Sequence, residues 1–134
     1  MGLVALLVPA TVSAASPNSW TTGAFLEYGN ENCGGHIEGA PLLGSVEFTR
    51  SGGHMTLRVE LDGSPATADT EYILTLWDAG DCSQIGGDIG TVTTNGFAVA
   101  NETFTGIRTK GAKTFFATLY NTDLDFYNDT TIVP

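Results

Sequence analysis

Positive charge is what this sequence has least of. Five Lys and Arg stand against fifteen Asp and Glu in 134 residues, a formal net charge of −10. Lysine occurs only at Lys110 and Lys113. A chain so poor in cations has no basic surface to neutralise phosphates, which argues against a nucleic-acid partner. It also has no polybasic stretch to hold anionic lipid. No apolar run approaches the ~20 residues needed to span a bilayer, so no transmembrane span is expected. From residue 20 onward no sustained 3.6-residue periodicity signals a helix. Linkers, low-complexity tracts and internal repeats are missing too, and the length suits one domain.

Nineteen threonines and seventeen glycines are what the chain has instead. That composition favours strands and turns. Short runs of period two lie between Gly, Asn, Asp and Pro clusters. Strands are expected at Trp20–Tyr28, Leu43–Arg50, His54–Leu61, Glu71–Trp77, Gly90–Thr94, Phe97–Thr105, Thr114–Tyr120 and Phe126–Val133. Ser51-Gly52-Gly53 and Asn95-Gly96 read as hairpin turns. Asn30–Pro41 and Asp78–Gly90 read as Gly-rich loops. Alternation is cleanest in the second and third runs. There Val46, Phe48, Met55, Leu57, Val59 and Leu61, with Leu119 further on, take the core-facing parity. The fold class expected is all-β, a single antiparallel β-sandwich of about 7–9 strands over residues 16–134.

Residues 1–15 differ from the rest. Gly2–Ala15 reads GLVALLVPATVSAA, and the first charged residue is Glu27. An apolar stretch, then short residues at Val12-Ser13-Ala14, is the pattern of a secretory signal and its cleavage site. No Lys or Arg follows Met1, an element such signals carry. The competing reading is a donor strand, with Leu3, Val4, Leu6, Val8 and Val12 completing a neighbouring subunit's sheet. Both readings place the protein outside the cell or at its surface.

Cys33 and Cys82 are the only cysteines. In an exported chain an even count most simply gives one disulfide. Two alternatives stay open: unpaired thiols, or a metal site built from Cys33-Gly-Gly-His36 with His54 and Cys82. A lone Cys-x-x-His element lacks the second pair that zinc sites use.

The search for chemistry returns little. No Gly-x-Ser-x-Gly elbow is present, and the two histidines, His36 and His54, fall in a loop and beside a turn. No catalytic residues, cofactor or metal are assigned. Asp78, Asp81 and Asp88, and separately Asp123, Asp125, Asn128 and Asp129, are the groupings from which calcium ligands would come, yet neither has EF-hand spacing. Asn101-Glu-Thr103 and Asn128-Asp-Thr130 are N-glycosylation sequons. Trp20, Trp77, Tyr120, Phe126 and Tyr127 would form a sugar-binding platform if exposed in a row, but aromatics in a small sandwich are more often core.

The run Gly44–Gly53, then Met55–Gly63 and Glu71–Cys82, resembles secreted immunoglobulin-like β-sandwich modules of unassigned function in bacteria and archaea. It is also similar in strand order to copper/zinc superoxide dismutases, including an Asp-Cys pair, here Asp81-Cys82, after the central strand. The resemblance implies a fold. It does not imply the dismutase activity, which needs a His-x-His pair on that strand, where this chain reads Tyr72-Ile-Leu-Thr-Leu-Trp77. The function expected is an exported, non-catalytic structural or interaction module at the cell surface. Such a module would partner copies of itself, as an extracellular filament subunit assembling by donor-strand exchange, or other cell-surface components. The alternative is a secreted carbohydrate- or calcium-binding module.

Overall fold

The structure, a computed structural model, describes residues 19–26, 39, 41–121, 126–130 and 132–134. They form eight strands: β1 (Ser19–Leu26), β2 (Leu42–Ser51), β3 (His54–Asp62), β4 (Glu71–Asp78), β5 (Ser83–Thr93), β6 (Val99–Arg108), β7 (Phe115–Asn121) and β8 (Phe126–Thr130). Every pairing is antiparallel and the order is β5-β4-β7-β8-β1-β2-β3-β6. The hydrogen-bonded path is continuous, but its middle is thin. β8 and β1 share only the register Ala24↔Thr130 to Leu26↔Asn128. The sheet folds over at that junction into two layers, β5-β4-β7-β8 and β1-β2-β3-β6. The all-β antiparallel sandwich expected from the sequence is the architecture found.

The core lies between the layers and follows strand parity. β3 alternates from Met55 to Leu61, with Met55, Leu57, Val59 and Leu61 buried and Arg58 exposed. Its partner β2 supplies Val46 and Phe48, in register as Val46↔Val59 and Phe48↔Leu57. Tyr72, Leu74 and Leu76 of β4 and Phe115, Ala117 and Leu119 of β7 close the core from the other layer. All seven residues assigned to the core from alternation are buried. Fully burying one such aliphatic side chain stabilises the fold by about 1.5–3 kcal/mol.

Two connections differ from expectation. The stretch Asp78–Gly90, read as a loop, is a four-residue turn followed by most of β5. Gly86 and Gly87 take φ of 77° and 81°, and the β4–β5 register slips between Leu74 and Thr75 and again between Thr75 and Trp77. The glycines sit in an irregular, bulged strand, which masks its alternation. The second difference is at Asn95-Gly96. The turn exists, held by Ala98 N–H donating to Asn95 O at 3.0 Å and by Phe97 N–H donating to Asn95 Oδ1 at 2.8 Å. The strands it joins do not form a hairpin ladder. β5 pairs with β4 and β6 with β3, so the two stand at opposite ends of the strand order.

A small polar network at the same end was not legible from sequence. Thr94 Oγ1 donates to Thr67 O at 2.6 Å and accepts from Thr70 N–H at 3.0 Å. Thr67 N–H donates to the Tyr72 hydroxyl at 2.9 Å. Together these give buried polar groups their partners and fix the 62–71 crossover against β5.

Candidate functional site

The concave feature with most to offer is the seam between β5 and β6. These are the two terminal strands of the order, and among the described residues the outward edge of neither pairs with another strand. Gly90 and Phe104 close the seam on one side. A Cβ built on Gly90 would lie 2.5 Å from Phe104 Cε1, so the ring occupies the side-chain space at position 90. Away from that contact, toward the β4–β5 turn, the seam opens into a groove of about 550 Å³.

Ile85, Ile89, Phe104 and Ile107 give the groove its apolar lining. Ile85 is buried; the other three are half-buried and pack against the core. Gly106, at φ 72°, breaks the regularity of β6 where the β3–β6 register slips between Met55 and Leu57. Arg108 and Lys110 line one end, exposed, and neither enters an ion pair among the described residues. Asp88 lies on the opposite wall and accepts a hydrogen bond from Thr75 Oγ1 at 3.2 Å. The ion pairs among the described residues lie away from the groove and belong to Arg58, with Glu47 at 3.7 Å and Glu60 at 2.5 Å; being exposed, they stabilise little.

The groove residues are hidden in the sequence because the Gly- and Asp-rich composition of Asp78–Gly90 has the look of a loop. A usable signal was present: Ile85 and Ile89 are four apart, which puts them on one face of a strand once the Gly-Gly bulge is allowed for.

The residues singled out from sequence fall elsewhere. Cys82 sits in the β4–β5 turn at φ 65°, its N–H donating to Asp78 O at 2.8 Å. Cys33, His36, Asp123, Asp125 and the segment holding Leu3, Val4, Leu6, Val8 and Val12 lie outside the described residues. His54 is exposed at the start of β3. Asp78 and Asp81 point into their own turn: Asp78 Oδ1 accepts from Gly80 N–H at 2.8 Å, and Asp81 Oδ1 accepts from Ser83 N–H at 3.1 Å. These are the local bonds that make Asp a turn former. Among the described residues no three His, Cys, Asp or Glu side chains gather as metal ligands, and no helix is long and apolar enough to cross a membrane.

Of the five platform aromatics, the side chains of Phe126 and Tyr127 lie outside the described residues, and Trp77 and Tyr120 are half-buried. Trp77 stacks on Phe116, ring centroids 5.7 Å apart, and donates from Nε1 to Thr118 Oγ1 at 2.9 Å. Phe116 is 1% exposed and Thr118 0%, so this face presents no flat row to a sugar. Trp20 stands apart beside Arg50 and Lys113. The two sequons also separate. Asn101 is exposed, with Nδ2 donating to Glu60 Oε2 at 3.2 Å. Asn128 is 0% exposed and its Nδ2 donates to Leu119 O at 2.8 Å. A glycan on Asn128 would need that same nitrogen and has no room in the folded domain; this corrects the second sequon.

Comparison with known proteins adds no relative: the chain matches no family model, no curated protein and no solved structure.

Proposed function

We propose that this chain is an exported, non-catalytic structural or interaction module at the cell surface, stapled by a Cys33–Cys82 disulfide and assembling with copies of itself by strand addition. The observation that carries the reading is the pair of strand edges, on β5 and β6, that border a groove of mixed polar and apolar lining and pair with no strand among the described residues. An unpaired edge is a template for another strand. Natural sandwiches blunt such edges with lysine, proline or inward charge, and the walls Ile85–Ile89 and Thr103–Ile107 carry only Asp88 against that threat. A strongly acidic, Thr- and Gly-rich chain suits an exported, solvated surface.

The test is direct. Protein recovered from the surface and medium of its source cells is sized by light scattering and viewed by electron microscopy. Linear oligomers at the cell surface are the expected result. A strictly monomeric protein, or one found only in the cytoplasm, overturns the reading.

A further inference from the structure

Building on the self-assembly reading above, we infer that the β5–β6 groove is the acceptor for the extended segment Leu3–Val12 of a second copy of this chain, in the form that retains its first fifteen residues. The walls set the requirement. On each side of the groove runs a strand edge whose outward backbone groups find no strand partner among the described residues. A backbone N–H or C=O removed from water needs a hydrogen-bonding partner. An added strand supplies such partners at every residue and places alternate side chains in the groove. A small amphiphile would fill the volume and leave the backbone groups unpaired.

Length and chemistry match the segment to the walls. The open walls, Ile85–Ile89 and Thr103–Ile107, are five residues each. Leu3–Val8 is six contiguous apolar residues, about 20 Å when extended at ~3.3 Å per residue. Pro9 follows, without an N–H to donate, and so sets where pairing ends. Val4, Leu6 and Val8 share one face of such a strand and would meet Ile85, Ile89, Phe104 and Ile107. The first charge in the chain is Glu27, so inserting this segment desolvates none of its own. Arg108 and Lys110 remain at the solvent-facing end.

The second copy is favoured over the chain's own segment by reach. β1 begins at Ser19 and stands three strand spacings from β6, about 14 Å at ~4.8 Å each. Six residues, Ser13–Asn18, must cover that distance plus one further spacing to the free edge of β6. Their full extension is only about 20 Å, and Pro17 fixes one of their φ angles. A donor from another copy has no such constraint. Donor and acceptor are different surfaces, so the contact propagates head to tail.

The experiment uses the full chain, made with residues 1–15 retained, beside the double variant Val4→Asp/Leu6→Asp. The variant should keep the β-sheet signal in circular dichroism, while its thermal midpoint should lie below that of the polymer, because a partner bound only to the folded state stabilises it. Light scattering should show linear polymers for the native chain and monomers for the variant. Hydrogen exchange should show peptides spanning 85–89 and 103–107 protected at least tenfold more in the native chain. Polymers that survive the double variant leave the assembly reading standing and overturn the donor segment. A native chain that is monomeric and unprotected at both walls overturns both. A monomer protected at the walls, with protection lost in the variant, shows the segment folding back on its own chain and overturns the second-copy occupant. A naturally exported chain starting at Ala15 or Ser16 has shed the donor and overturns the inference as well.

Discussion

Phe104 lies where a side chain on Gly90 would be, 2.5 Å from a Cβ built there. The ring packs against the backbone of Gly90 across the seam between β5 and β6. Among the described residues β5 pairs only with β4 and β6 only with β3. Gly90→Ala forces the ring to move or the strands to part, and overpacking of this kind costs about 1–3 kcal/mol. Adding Phe104→Leu should recover part of the loss, with a coupling above ~0.5 kcal/mol between the two sites. Urea denaturation of the four proteins gives the cycle. Strictly additive effects would show that the ring is not what excludes the methyl. Gly44→Ala should cost more than Gly90→Ala, because a Cβ on Gly44 meets the backbone carbonyl of Glu60, which cannot swing aside.

Leu57 tests the core. It is fully buried and in register with Phe48 on one side and Phe104 on the other. Leu57→Ala should destabilise by about 2–5 kcal/mol, the transfer term plus the cavity left behind. Met55 and Val59 on the same parity should behave alike in proportion to the volume removed. Chemical denaturation of each variant is the measurement, and a loss under about 1 kcal/mol at Leu57 would show the core to be elsewhere.

What the sequence made legible tracks how regular the strands are. β3 alternates along its length and β2 from Val46 to Phe48, the two meet at Ser51-Gly52-Gly53, and their bounds agree with the sequence pattern to within a residue. Their six core residues, and Leu119 of β7, are buried throughout. β5 was half lost because Gly86 and Gly87 adopt positive φ inside it, and composition alone cannot separate a bulged strand from a loop. The Asn95-Gly96 turn was correct as a turn. Its strands take other partners, β5 pairing with β4 and β6 with β3, and no local window contains those partners. The groove was invisible for the same reason. Its walls come from strands that follow one another in the chain yet end the sheet at opposite edges.

The two sequons predict opposite outcomes in a glycosylating host. Asn101 is exposed near the start of β6, so peptide mass mapping should find glycan there whenever the machinery is present. Asn128 should stay bare, since its amide nitrogen donates to Leu119 O within the β7–β8 pair. Asn128→Asp removes that donor and sets a carboxylate against a buried carbonyl. A loss of about 1–3 kcal/mol follows from the unsatisfied group alone. Folded protein carrying glycan at Asn128 would contradict the burial of this residue.

The last prediction concerns the sulfur of Cys82. An L residue in the left-handed region costs roughly 1–2 kcal/mol, a cost glycine avoids, and Cys82 sits there at φ 65°. The turn does not need sulfur to hold its shape. Cys82 N–H closes it on Asp78 O, Asp78 Oδ1 accepts from Gly80 N–H, and Asp81 Oδ1 accepts from Ser83 Oγ at 2.6 Å. Glycine at position 82 would suit this backbone better, so a cysteine there points to use of its thiol. A bridge to Cys33 would close a loop of about 50 residues, worth about 4 kcal/mol in the chain-entropy model. Oxidised protein should therefore show no alkylatable thiol by intact mass until reductant is added. Cys33→Ala, Cys82→Ala and the double variant should lose the same stability, since either change removes the whole cross-link. Cys82→Gly should match or exceed the reduced native protein, having shed the backbone cost, while remaining below the oxidised one. Two thiols alkylated without reductant, or single variants whose losses add, would remove the staple from the account of this fold.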